Sequence, residues 1–418
     1  MKFHASSLKW VIWVLAALFY FYEFVLRVSP SVMIPELMAS FGITASSVGV
    51  LSAFYLYTYA PMQLPVGVLM DRYGVKAILS IASIVCGLGA FLFAGTSNLM
   101  VASLGRALIG GSSAFAFISM VYITTHWFPL RKRAFLIGMA NSLAMFGASL
   151  GTGPLTAVIH RMGWRVSIAL FGVVGIILGV LVYIVLRFDQ RDANIEEKTH
   201  ETKAHLFTSL KEVVTKKNNW FNALSALLFY MTTTAFAGLW GLSFVQTAYG
   251  VSKEIAGYAM SMTFAGWLVG GPLMGFLSDQ LSKRKGVIRI GIVGALLSLL
   301  PVIYYPSIPI YVVYVLLFFV GFFSSAELLN FSLSMELSSS KARATAAAFT
   351  NFLISCGDAI VQPVVGFLLD HRWSGGLLNG IREYSTREYQ VALSCLPVTL
   401  VLAFLILFLV KEEKRMVG

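Results

Sequence analysis

The chain of 418 residues is 58% hydrophobic and only 12% charged, about half the charge content of an ordinary soluble domain, and its mean hydropathy is +0.79. That composition excludes a soluble globular enzyme and places most of the chain in a lipid bilayer. The net charge of +12 does not signal nucleic acid, because the basic residues fall in short connectors between apolar runs.

The first apolar run, 10–38, is too long for a signal-peptide core and contains Glu23 and Arg27, so it reads as a retained first span. Eleven more follow: 47–70, 77–97, 99–124, 134–159, 164–187, 220–247, 255–278, 287–305, 309–337, 344–370 and 390–410. Their length and continuous apolar character predict helices and not the alternating strands of a barrel. The long connector 188–219 holds six basic and six acidic residues. It reads as a solvated cytoplasmic linker with a short surface helix around Leu206–Val214. The predicted architecture is an all-α membrane protein: a six-helix bundle over 1–187, the linker over 188–219, and a second six-helix bundle over 220–418.

Orientation follows from lysine and arginine. With both termini inside, the inner segments hold 23 of the 31, and the outer loops hold six: Arg161, Arg165, Lys253, Arg372, Arg382 and Arg387. The remaining two, Arg27 and Arg106, lie inside spans. The asymmetry predicts cytoplasmic termini. The halves also repeat at an offset near 210: Asp71 with Asp279, Arg133 with Arg343, Gly147 with Gly357, Pro154 with Pro363. Such internal repeats are typical of transporters that rock one bundle against another.

The connector after the second span reads Gly67-x-Leu69-x-Asp71-Arg72-x-Gly74-x-Lys76. A weaker copy keeps Gly275 and Asp279, followed by Lys283, Arg284 and Lys285. The first copy resembles the loop 2–3 signature of the major facilitator superfamily. Arg106-x-x-x-Gly110-x-x-x-Ala114 resembles that family's fourth-span motif, and Trp127-Phe128-Pro129 with Arg133-Ala134 its loop 4–5 pattern. Pro30 and Pro35 resemble the prolines at the outer end of the first span in some members. The resemblance implies two pseudo-symmetric bundles and alternating access. It implies a latch of Gly67, Asp71, Arg72, Gly74 and Lys76 with Asp279, Arg133 and Arg343. An aspartate there can face a helix N-terminus or pair with a base, so the latch is expected to stabilise the outward-open state. The plain alternative is a positively charged inner loop.

Charges inside spans are costly and normally face a cavity or a partner. Five stand out: Glu23, Arg27, Arg106, Glu327 and Asp358. Glu23 and Arg27 share a helix face with Tyr20, and Asn330 lies one turn after Glu327. Asp358 belongs to a polar stripe with Asn351, Ser355 and Gln362. In the family that this chain resembles, the first, fourth, seventh and tenth helices line the central cavity. The resemblance therefore implies that Glu23, Arg27, Arg106 and Glu327 reach it. The structural alternatives are an ion pair between Glu23 and Arg27, a bracing role for Arg106 on backbone carbonyls, and a packed Asp358 bonded to Asn351 or Ser355. Tyr20, Tyr55, Tyr59 and Trp240 are candidate wall residues, since an aromatic face with an acid suits an amine or guanidinium.

Three buried acids against two arginines suggest a substrate with a positive group. The leading expectation is proton-coupled uptake of an amino acid, with a cationic side chain favoured. Glu23, Arg27, Tyr20, Tyr55, Tyr59, Trp240, Glu327, Asn330 and Asp358 would contact it, and Glu23, Glu327 and Asp358 would handle protons, since burial favours the neutral form of an acid; the resemblance of the fourth-span motif implies a proton-coupling role for Arg106 as well. Alternatives are import of an organic anion, efflux of amphipathic cations, and a transporter-like receptor. The six histidines are scattered, and Cys86, Cys356 and Cys395 sit in separate spans, so neither a metal site nor a catalytic constellation is expected. The expected partners are a small solute, protons and lipid, for a monomer without cofactor in a bacterial inner membrane.

Overall fold

Within a bilayer each backbone N–H and C=O must be satisfied internally, and a helix does this without a partner. In the computed structural model the apolar runs all become helices. The structure describes residues 5–63, 65–186, 208–281, 283–339 and 342–411, with only the backbone at 5–7, 67, 68, 71, 72, 134 and 186. Among the described residues, eleven helices are long and apolar enough to cross a membrane, twelve when the bent pair Ile34–Phe41 and Ala45–Met62 counts as one span.

We number the spans α1 (Ala5–Val28), α2 (Ala45–Met62), α3 (Val66–Gly95), α4 (Leu99–Trp127), α5 (Leu130–Leu150, continued by Gly153–Met162) and α6 (Trp164–Leu186). In the second half they are α7 (Lys217–Tyr249), α8 (Lys253–Leu281), α9 (Arg284–Tyr304), α10 (Ile310–Glu336), α11 (Arg343–Arg372) and α12 (Thr386–Leu409). Local chemistry sets many ends. Asn98 caps α4 by accepting from the Met100 and Val101 amides, and Ser385 with Glu388 forms a capping box at the start of α12.

Several predicted spans are interrupted. The run 10–38 breaks after a 3₁₀ turn at Ser29–Val32 and resumes as the separate helix Ile34–Phe41. Pro30 and Pro35 stand in the first turns of these two pieces, where a missing N–H costs nothing. The predicted second span, 47–70, ends at Met62; Val66 onward belongs to α3, which kinks at Gly74 with φ 74°. α7 contains a π-helical stretch, Thr232–Trp240, and α10 a 3₁₀ turn, Ser325–Leu328. Such interruptions free backbone groups and are tolerated only inside protein.

α3 packs against α4 and α6, and α1 against α4 and α5; in the second half α10 packs against α8 and α9, and α7 against α11 and α12. Two seams join the halves, α2 on α11 and α5 on α8. We call the face that bears the loops at 42–44, 96–98, 250–252 and 373–385 the distal face, and the opposite one the proximal face. Among the described residues, the hydrogen bonds between the halves lie toward the distal face. Examples are Thr44 to Asp370, Gly153 to Ser261 and Lys253 to Glu36.

Most of the linker, and Leu206 with it, lies outside the described residues. Its described end is helical over 208–215. There Glu212 accepts from Lys216 and from the backbone and hydroxyl of Ser339 at the end of α10. The Lys216 ammonium and then these Ser339 donors pull the Glu212 carboxyl down to about 2. A depressed acid stabilises docking above the ordinary carboxyl range, and that contribution is lost as pH falls toward about 2. E212Q is expected to speed amide exchange at Ser339 at neutral pH, measured by hydrogen–deuterium exchange; unchanged exchange would refute the docking role.

Candidate functional site

The intramembrane charges converge where α1, α2, α4, α7, α10 and α11 meet. Glu23 is fully buried on α1 and accepts from the Tyr55 hydroxyl of α2 at 2.7 Å. Tyr55 stacks on Tyr59 with centroids 5.6 Å apart. Arg27, one turn after Glu23, lies over the rings of Phe24, Tyr55 and Tyr59 at 5.4, 5.7 and 5.4 Å. Its ion pair is not with Glu23. Arg27 Nη2 stands 3.6 Å from Asp358 Oδ2 on α11, across the seam, with the two side chains 15% and 0% exposed. That separation is longer than a hydrogen bond; neither Asp358 oxygen has a partner at full hydrogen-bond geometry, and the Thr234 hydroxyl of α7 is the side-chain donor that acts on this carboxyl. The Ser355 hydroxyl bonds the Asn351 carbonyl instead of Asp358.

Arg106 does a different job. It donates to the backbone carbonyls of Leu26 at 2.9 Å and of Arg27 and Ser52 at 3.5 Å, and it lies over Tyr55 and Phe93. It ties α4 to α1 and α2. Arg27, Ser52, Tyr55, Leu56, Arg106 and Gln362 line a residual cavity of about 10 Å³, too small for any solute.

In the second half, Glu327 is buried within the 3₁₀ turn of α10, and its Oε1 has no partner. Asp358 is close enough to act on it electrostatically. Asn330 donates to the Glu327 carbonyl and keeps an unpartnered Oδ1. Tyr20 donates to Asn141 Oδ1 at 3.2 Å. Trp240 is buried and donates to the Gln362 carbonyl at 3.0 Å, so it fastens α7 to α11 and does not wall a cavity.

Sequence reasoning missed Tyr230, whose electrostatic neighbours are Arg27, Asp358 and Glu327, and Asn141, the partner of Tyr20. Tyr230 had one available signal: it stands 210 residues after Tyr20, so the repeat pointed to it.

Of the expected latch, Gly67, Asp71 and Arg72 lie on α3 with side chains outside the described ones. Gly74 makes the kink, and Lys76 lies 4.9 Å from the Tyr183 ring of α6. Arg133 donates to the Phe128 carbonyl at 3.0 Å. Asp279 pairs with Arg284 at 2.7 Å, and Arg284 also reaches Glu336. Arg343 opens α11 and is exposed. The described pairs of this group close within one half.

A family model described as Major Facilitator Superfamily matches residues 12–240 and 222–417. The chain belongs to this superfamily. Among its relatives, "Probable sulfoacetate transporter SauU" of Cupriavidus necator is 26% identical over 304 residues, 68% of this chain and 70% of that one. A "Probable hexose phosphate transport protein" of Chlamydia trachomatis is 24% identical over 389 residues, 85% and 84% of the two chains. A solved bacterial homologue of the human lysosomal transporter Spinster, inward-facing and occupied, superposes with a TM-score of 0.77 at 17% identity, covering 96% of each chain. The superfamily member is thus a helical transporter, and where its two halves meet Arg27 stands loosely paired across the seam from Asp358.

Proposed function

We propose that the chain moves a small zwitterionic solute of the amino-acid type by alternating access. Arg27 takes the carboxylate, and Glu327 with Asp358 takes the ammonium. The observation that carries this reading is the arrangement of charge across the seam. The first half offers Arg27, flanked by three rings and paired at only 3.6 Å. The second offers Glu327 Oε1 and the Asp358 carboxylate short of full hydrogen bonding, with only the Thr234 hydroxyl acting on Asp358. Buried polar groups without partners are expensive, and a solute with both charges satisfies both sides at once. Because the ligands stand on different halves, binding draws the halves together. Glu23, held by Tyr55, remains for a cationic side chain.

In this reading the distal face is extracellular and the termini are cytoplasmic, and the closed distal seams fit a state shut toward the outside. Glu327 and Asp358 carry the coupling proton during uptake through a bacterial inner membrane. The relatives named for sulfoacetate and hexose phosphate favour a second reading, an organic anion bound by Arg27 with both acids protonated.

The test is counterflow in proteoliposomes with arginine, alanine and sulfoacetate, supported by thermal shift, since a ligand of the folded state raises its stability. E327Q is expected to weaken amino-acid binding about tenfold or more and to spare sulfoacetate. If it leaves every amine-bearing ligand unchanged, the zwitterion reading fails. Binding without exchange would identify a receptor.

A further inference from the structure

Asp370, in the last turn of α11, lies outside the charged centre and outside the loop 2–3 motif, yet its carboxylate collects four donors. Oδ2 accepts from the Thr44 hydroxyl at 2.6 Å and the Ser46 amide at 2.8 Å. Oδ1 accepts from the Tyr384 hydroxyl at 2.5 Å and from Arg382 Nη1 at 3.1 Å. The first two donors belong to the other half of the molecule. Thr44 is the N-cap residue of α2, and its own side chain caps nothing. The free amides and positive end of α2 are therefore served by a carboxylate from α11. Tyr384, held by the same carboxylate, also receives the Ala45 amide at 3.3 Å.

The internal repeat gives this contact a mate. At an offset of 210, Thr44 corresponds to Glu254 and Asp370 to His160. His160 Nδ1 and Glu254 Oε1 are in fact paired, 2.5 Å apart, on the α5–α8 seam. The same two positions thus bridge the halves on both seams, with the acid on the fifth helix of its half at one seam and on the second helix of its half at the other. Their settings differ. The Asp370 side chain is 14% exposed, whereas His160 and Glu254 are 75% and 30% exposed. A partly buried carboxylate with four donors is a strong acceptor, while an exposed pair contributes little. On the α5–α8 seam the buried tie is neutral: the Ser261 hydroxyl, which meets Gly153 and Thr152 where α5 breaks.

We infer that Asp370 is the gate residue of the distal face, capping α2 across the seam and holding α2 on α11 while that face is shut. Opening this face strips Asp370 of two donors and α2 of its cap, so the contact exists in only one of the two conformations. Such a differential contact is what biases a two-state equilibrium. Nothing in it depends on which solute is carried.

The test is double electron–electron resonance between spin labels at S97C and S307C, on the exposed distal loops of the two halves, with Cys86, Cys356 and Cys395 replaced by serine. D370N is expected to raise the ratio of the long-distance, distal-open population to the closed one roughly tenfold. T44V, which removes a single cross-seam bond and leaves Asp370 with its neighbours, is expected to shift it in the same direction by less. E254Q is expected to leave it nearly unchanged. The inference is overturned if neither D370N nor T44V shifts the distribution, or if E254Q shifts it as much as D370N.

Discussion

R27Q is expected to remove solute binding almost entirely, weakening it by about a hundredfold or more, because a buried charge that meets a charged ligand contributes about 2–5 kcal/mol. Of the two arginines at the charged centre, Arg27 is the one not committed to carbonyls of the backbone. Arg106 spends its donors on Leu26, Arg27 and Ser52. Loss of Arg27 also leaves Asp358 facing no cation, so some destabilisation accompanies it. The double variant R27Q/D358N separates the two effects: stability is expected to return and binding is not. R27K keeps the charge but loses the planar group that lies against Phe24, Tyr55 and Tyr59, so partial binding is expected. The measurement is a dissociation constant from thermal shift or calorimetry, with sulfoacetate and an amino acid in parallel. Both solute readings require Arg27. Full-strength binding of either ligand in R27Q would remove the guanidinium from the site.

The scaffold was legible because its causes are local or periodic. A bilayer forces apolar runs into helices, the motif at Gly67–Lys76 names the family, and the repeat at 210 residues maps one half onto the other. The repeat even extends to helix crossings. Gly110 meets the Tyr55 backbone where α4 crosses α2, and Gly321 meets the Thr263 backbone where α10 crosses α8. The charges do not follow it. The positions that match Glu327 and Asp358 are Phe117 and Ala148. Partners across the seam were therefore out of reach: one helix wheel pairs Arg27 with Glu23, whereas the fold pairs it with Asp358. The π stretch at Thr232–Trp240 adds a residue to its turns, so the faces of α7 beyond Thr232 could not be read from a regular helical period. The distal gate was invisible for the same reason, since Thr44 and Asp370 are 326 residues apart.

The crossing at Gly110 yields the largest expected loss of stability, together with a loss of binding. A Cβ on Gly110 would lie 1.9 Å from the Tyr55 carbonyl oxygen and 2.6 Å from the Tyr55 Cα. Both obstacles are backbone, so no rotamer change relieves them, and α2 and α4 must separate by about 1 Å or more to reach ordinary contact distances. Overpacking of this kind costs about 3 kcal/mol. G110V is therefore expected to lower the thermal unfolding midpoint strongly. The displaced residue is also the one that donates to Glu23, stacks on Tyr59 and lies beneath both Arg27 and Arg106, so the folded fraction should lose solute affinity as well. Two comparisons isolate this link. G111A is expected to be silent, because its Cβ would meet only the Thr58 side chain at 3.6 Å. G321A, at the equivalent crossing, would place a Cβ 1.7 Å from the Thr263 carbonyl. It is expected to cost similar stability but less affinity, since Thr263 touches none of the central charges and only Glu327, six residues further along α10, is near enough to be disturbed. Equal loss of affinity in G110V and G321A would mean that binding follows global stability and not the position of Tyr55.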